Sequence, residues 1–303
     1  MNLIKLFFLI YVIVVGLIYA LTKRSGIPKL VPGDIFIAKL TRKIGSRNAL
    51  FWWLLGSFVM ASFYLPFAGP ITDFPIFIFA LVLNIVSFAG VLFYFEALEI
   101  GNASLVGTIG GAFPVITVPL SILLFKEQLT WFQFAAIILT FSGLILATLR
   151  FEELKNRNFR RLISDRSIKL ALAAFVIWGV FWAVIRIPVE KIGWFWSNYP
   201  IYLSFILLPL FNLVRNIPLS DLKNKKTFLI TILGCILTLF ANFGFNLGLT
   251  YGYTSIVAPI AGASPVLFVI ISRFVFREKL TSQQKLGIVF ALAGIVLISI
   301  SSV

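Results

Sequence analysis

Stretches of about 20 residues with almost no charge recur along this chain and constrain it more than any motif does. That is the length an α-helix needs to cross ~30 Å of hydrocarbon. Within a bilayer each backbone N–H and C=O must be satisfied internally, so runs of this kind fold as spanning helices. The composition agrees: 60% of the 303 residues are hydrophobic and 12% are charged, whereas an average soluble domain carries about 25% charged residues. The runs predict ten spans: Leu3–Leu21, Ala49–Ala68, Phe74–Leu98, Ala103–Phe125, Trp131–Leu149, Leu170–Ile187, Trp194–Leu213, Thr227–Leu249, Thr254–Phe276 and Gln284–Ser301. The expected fold is an all-α integral membrane protein of ten transmembrane helices, with no soluble domain of any size.

The second constraint is repetition. The stretch from Ala97 to Leu149 recurs from Gly248 to Ile300 at a constant offset, 278 − 127 = 151, which pairs Glu127 with Glu278. At that offset Gly101 meets Gly252, Ser104 meets Ser255, Gly111 meets Gly262, Pro114 meets Pro265, Thr130 meets Thr281 and Gly143 meets Gly294. The domains read as a first repeat over residues 1–150, a polar linker over 151–167 and a second repeat over 168–303. Five spans per half is an odd number, so the halves are expected to lie in opposite orientations, an inverted repeat with a site between them. Residues 22–48 are the least regular part. Pro28, Pro32 and Gly33 prevent one continuous helix there, and Asp34–Ile44 is expected to form an amphipathic helix on the membrane surface. Leu3–Leu21 is long for a signal sequence and reads as an uncleaved first span.

The net charge of +15, from 26 Lys and Arg against 11 Asp and Glu, lies in loops between apolar runs. That is topogenic charge facing anionic lipid, so no nucleic-acid partner is expected. The basic loops follow spans one, five and seven and share one face. The positive-inside rule puts that face in the cytoplasm and both termini on the other side. There is one cysteine, Cys235, and no histidine. A disulfide within the chain, a cysteine metal cluster, an HExxH zinc motif and a Ser-His-Asp triad are thereby excluded. No G-x-x-x-x-G-K-[ST] segment is present for ATP. No cofactor and no metal are expected.

In each half a small-residue span is followed by Lys/Arg-Glu-x-Leu-Thr and a glycine-containing final span. The carriers are Ser104–Pro114 with Lys126-Glu127-Gln128-Leu129-Thr130, and Ser255–Pro265 with Arg277-Glu278-Lys279-Leu280-Thr281. This pattern resembles the EamA-type domain of the drug/metabolite transporter superfamily over spans three to ten, more loosely at the start. The resemblance implies ten helices, two inverted five-helix EamA repeats and a central cavity for a small metabolite lined by spans one, three, four, six, eight and nine. It also implies termini in the cytoplasm, opposite to the charge reading.

Candidate residues are of several kinds. Gly107, Gly110 and Gly111 in span four and Ala261 and Gly262 in span nine let helices approach closely; they serve packing, or line a cavity whose walls rock. Pro114 and Pro265 each remove a backbone donor mid-span, giving a fixed kink or a hinge. Glu96, near the end of span three, is the acid most enclosed by apolar sequence. An intramembrane carboxyl can take up and release a proton, which suits proton-coupled export, unless it reaches the interface or pairs with a base. Asn84, Asn242 and Asn246 lie within spans at positions the repeat does not share, as a specific site would; interhelical hydrogen bonding is the plainer role. Trp178, Trp182, Tyr94 and Tyr251 could stack on an organic solute. Arg186 and Arg273, near span ends, read as snorkelling to the interface.

The expected protein is a multi-pass secondary transporter of the cell (plasma or inner) membrane. It moves a small organic metabolite, amino-acid-like or drug-like, by alternating access as a monomer or loose dimer. A lipid or lipid-linked sugar flippase on the same fold is the alternative. A membrane-embedded enzyme is disfavoured by the missing histidine and the absence of an acid pair within the spans.

Overall fold

The computed structural model describes residues 33–148, 165–211, 213, 224–262, 266 and 281–301, and among these it contains helices and no strand. In chain order they are α1 (Gly33–Ile44), α2 (Ser46–Ser62), α3 (Phe74–Ile100), α4 (Ala103–Gly111), α5 (Pro114–Phe125), α6 (Trp131–Thr148) and α7 (Arg166–Val184), then α8 (Arg186–Asn198), α9 (Pro200–Leu203), α10 (Leu207–Leu210), α11 (Lys225–Tyr251), α12 (Thr254–Ala261) and α13 (Ser282–Ser301). Among the described residues four stretches are long and apolar enough to cross a membrane: Phe74–Ile100, Leu105–Phe125, Arg166–Val184 and Thr227–Tyr251. Trp131–Ala147 and Ser282–Ile298 are shorter apolar helices. Leu123, Val289, Val296 and Val82 are among the large apolar side chains left exposed, as lipid-facing residues are.

Local chemistry places the helix ends. Asp73 caps α3 by accepting the Ile76 N–H at 3.1 Å, with Pro75 in the first turn. Thr130 and Gln133 form a reciprocal capping box at the start of α6, and Thr281 and Gln284 form its counterpart at α13; each box satisfies two otherwise orphaned groups. The helix starts obey the repeat: 225 − 74, 254 − 103 and 282 − 131 are each 151.

Each half packs on the other. α3 lies on α7 and α8, α11 on α1 and α2, α5 on α12, and α6 on α13. The α6–α13 crossing is the closest. A Cβ at Gly143 would collide with the Ala291 backbone, and one at Gly294 with Thr140. Those two contacts are images of each other at the 151-residue offset. Small residues permit this approach where apolar burial supplies no net drive.

The first half departs from expectation at α1. The apolar face of this helix meets protein: Ala38, Leu40, Thr41 and Ile44 are buried, and it packs on α2, α3 and α11. Gly45, at φ 84°, then turns the chain into α2. Gly193, at φ 82°, breaks α8 in the same way. Both follow Lys-Ile, at Lys43-Ile44 and Lys191-Ile192, and both occupy a region of φ that glycine enters without steric penalty.

Span six runs further than expected. The chain bends at Ile185 and helix resumes through Pro188 to Ile192. Pro188 sits in the first turn of α8, where a missing N–H is tolerated. Span seven is not one helix. Pro200 and Pro209 divide it into α9, a 3-10 turn at Ser204–Ile206 and α10. Segment Leu3–Leu21, most of the 151–167 linker, Pro265 and Arg273 lie outside the described residues.

Candidate functional site

The two ends of the bundle are polar in different ways. At one end Glu96, with its side chain 17% exposed, faces Arg47 at 3.5 Å and Arg166 at 3.9 Å. Glu99 accepts the Ser46 N–H at 2.9 Å, capping α2 from a neighbouring helix. Arg42 donates to the carbonyls of Leu98 and Gly101, which close α3, and the Lys43 ammonium reaches the Thr227 hydroxyl at 2.6 Å. Glu96 therefore lies in a basic cluster at the mouth of span three.

Between the ends, the interface of the halves is aromatic. Tyr94 and Trp178 meet with ring centroids 5.0 Å apart. Trp182 lies 4.4 Å from Phe245 and 6.1 Å from Phe113. Gly90 and Gly110 make room for these rings: a Cβ at Gly90 would crowd Trp178, and one at Gly110 would press on Tyr94. Gly107 is buried, and Ala261 is exposed. Pro114 opens α5 after a break at Ala112–Phe113, and Gly262 fits directly against its ring and the Gly111 carbonyl. The crossing of spans four and nine thus joins equivalent points of the two halves.

The three asparagines converge on span seven. The Asn84 amide donates to the Ala80 carbonyl at 2.7 Å and the Ser197 carbonyl at 2.8 Å. Asn246 donates to the Trp194 carbonyl, and Asn242 to the Tyr202 hydroxyl, both at 3.3 Å. They hold the least regular span in place. The Oδ1 atoms of Asn84 and Asn246 and both amide atoms of Asn198 are buried without a hydrogen-bond partner among the described residues. Burying such atoms unpaired costs about 1–3 kcal/mol each, so these positions suit the polar groups of a bound molecule or water.

The opposite end holds a carboxylate that the sequence reading passed over. Glu127, in the short α5–α6 connection, has its side chain 1% exposed. Its oxygens accept the N–H groups of Thr254 at 2.8 Å and Ser255 at 3.0 Å, the first residues of α12. Arg186 forms an ion pair with it. Arg186 does not snorkel; it is 14% exposed, lies 4.8 Å over the Phe125 ring, and also holds Glu190 at 2.6 Å. Lys126, the lone non-glycine residue with positive φ (52°) among the described residues, turns the chain so that Glu127 points inward. A buried ion pair is sustained only when further hydrogen bonds satisfy its members, and the helix N-terminus supplies them. The signal was in the sequence: Glu127 is one of the residues the repeat preserves.

The EamA-like transporter family model matches residues 33–149 and 165–300, once in each half. The chain belongs to that family. An EamA-like chain is a multi-pass membrane transporter of the drug/metabolite type. An uncharacterized protein of Methanocaldococcus jannaschii is 32% identical over 139 residues, which are 46% of this chain and 99% of that one. That relative is thus about as long as one half of this EamA-like protein. A solved crystal structure matches 89% of this chain and 95% of its own with a TM-score of 0.59 and 17% identity, a likeness of fold.

Proposed function

We propose that this protein is a secondary transporter of the cell membrane that moves a small organic solute by alternating access between two inverted five-span halves. The observation that carries this is the family match, which falls once in each half. Helix starts 151 residues apart and helices that pack mainly across the halves support it. With both halves in one chain, the proposed working unit is a monomer or loose dimer. The proposed solute lies between the halves. Its apolar face meets Tyr94, Trp178 and Trp182, and its polar groups meet the unpartnered amide atoms of Asn84, Asn198 and Asn246. Glu96, which faces Arg47 and Arg166 here, is the proposed proton-coupling group.

The test is flux of a metabolite panel in proteoliposomes with and without an imposed pH gradient. Gradient-driven flux that Glu96→Gln abolishes supports a proton-coupled carrier. Gradient-driven flux that survives the change keeps the carrier and removes Glu96 from the coupling step. Lipid scrambling without flux of any soluble solute overturns the reading in favour of a flippase.

A further inference from the structure

Alternating access requires the halves to part at each end in turn. A bond that joins the moving spans at an end must then break and re-form during the cycle. At the Glu127 end this bond is specific. Glu127 belongs to the first half, whereas Arg186, Thr254 and Ser255 belong to the second. The carboxylate is buried, holds the start of span nine by two charge-assisted bonds and takes its guanidinium from the end of span six. Eight residues beyond Thr254, about 12 Å along a helix, Gly262 fits against Pro114 at the break in span four. The same helix therefore has a point of attachment at its tip and a crossing at a proline below it. The α6–α13 pair is different: it joins the halves through interlocked backbone at Gly143 and Gly294 and is suited to stay fixed.

We propose that Glu127 is the latch of a gate at this end, closing it by pairing with Arg186 and capping span nine, and that its release lets spans six and nine swing from the first half about the Gly262–Pro114 crossing. This rests on the transporter reading and adds to it the residues that close one side. The latch is a positioning device and does not touch the solute.

Val257 reports on the gate. It is 7% exposed, lies one turn beyond Thr254 and belongs to the buried cluster that joins the start of span nine to Val118, Ala136 and Ile137 of the first half. Val257→Cys, in a chain with Cys235→Ala, would be reconstituted in liposomes and labelled with a membrane-impermeant maleimide from either face. Glu127→Gln removes the charge and leaves an acceptor, whereas Arg186→Gln leaves both N–H bonds to Glu127. Each is expected to raise labelling about tenfold, from the Glu127 face only, by shifting the closed population to open. Glu99→Gln, which weakens a cap within the first half at the other end, leaves the rate unchanged. An unchanged rate in folded Glu127→Gln and Arg186→Gln protein overturns the latch. Aggregation of both variants on size exclusion also overturns it, because the pair is then a structural pin. Labelling as expected without solute flux keeps the latch and discards the transporter reading; flux without the labelling change does the reverse.

Discussion

Glu96 and Glu127 exchange the roles that hydropathy assigns them. Glu96 sits inside an apolar run, yet its partners are exposed: Arg47 and Arg166 have side-chain exposures of 49% and 79%. Glu127 sits in a loop five residues long between two spans, yet its side chain is 1% exposed. The difference comes from assembly. Glu96 is half-buried near the end of its helix and meets exposed basic side chains. Glu127 is covered because the start of span nine and the end of span six, both from the other half, close over its loop. Position along a sequence fixes depth in the membrane; the packing of the halves fixes which carboxylate is enclosed.

Stability separates the two ends most sharply. Glu127→Ala leaves Arg186 unpaired and two helix N–H groups uncapped. Losing one member of a buried pair costs about 3–5 kcal/mol, and the partial exposure of Arg186 puts the expected loss at about 3. Denaturant titration in mixed micelles measures it; a loss below about 1 kcal/mol would show that the end is solvated like the other and remove the contrast. Arg186→Met comes next. It leaves Glu127 charged, with its two N–H donors and the helix dipole still in place, so the expected loss is about 2 kcal/mol in the same titration. An Arg186→Met loss exceeding that of Glu127→Ala would mean that the helix cap contributes less than the ion pair.

Much of this architecture could be read from the sequence. The 151-residue offset read over residues 97–149 extends to helix starts the sequence reading did not pair, Phe74 and Lys225. Charge-free runs placed spans three, four, six and eight, whereas the pairing of Gly143 with Gly294 in the repeat did not say that they mark the α6–α13 crossing. What was not legible depends on contacts between the halves. The amphipathic pattern of α1 looked like a surface helix because nothing local shows that α3 and α11 cover it. Span seven looked continuous because Pro200 and Pro209 break a helix only where neighbours satisfy the freed groups. Arg186 looked like a snorkelling residue because its partner is 59 residues away. Asn84 and Asn246 were legible as interior polar groups, but their common attachment to span seven was not.

At the Glu96 end the effects are smaller and grade by geometry. Glu99→Gln weakens a cap on the Ser46 N–H and is expected to cost about 1 kcal/mol. The mixed-micelle titration resolves it, and a cost equal to that of Glu127→Ala would make the two ends alike.

Glu96→Gln is expected to have the smallest effect on stability, at most about 0.5 kcal/mol, because its ion pairs are long and their guanidiniums are exposed. Screening gives an independent check. At 1 M salt the Debye length falls to about 3 Å, so the native protein should lose what little Glu96 contributes while the Glu127 contribution persists. Repeating both substitutions at low and high salt therefore yields a difference that shrinks for Glu96 and holds for Glu127. If instead the Glu127 effect fades with salt, water already reaches that carboxylate, and the enclosure that distinguishes its end of the molecule is absent in solution.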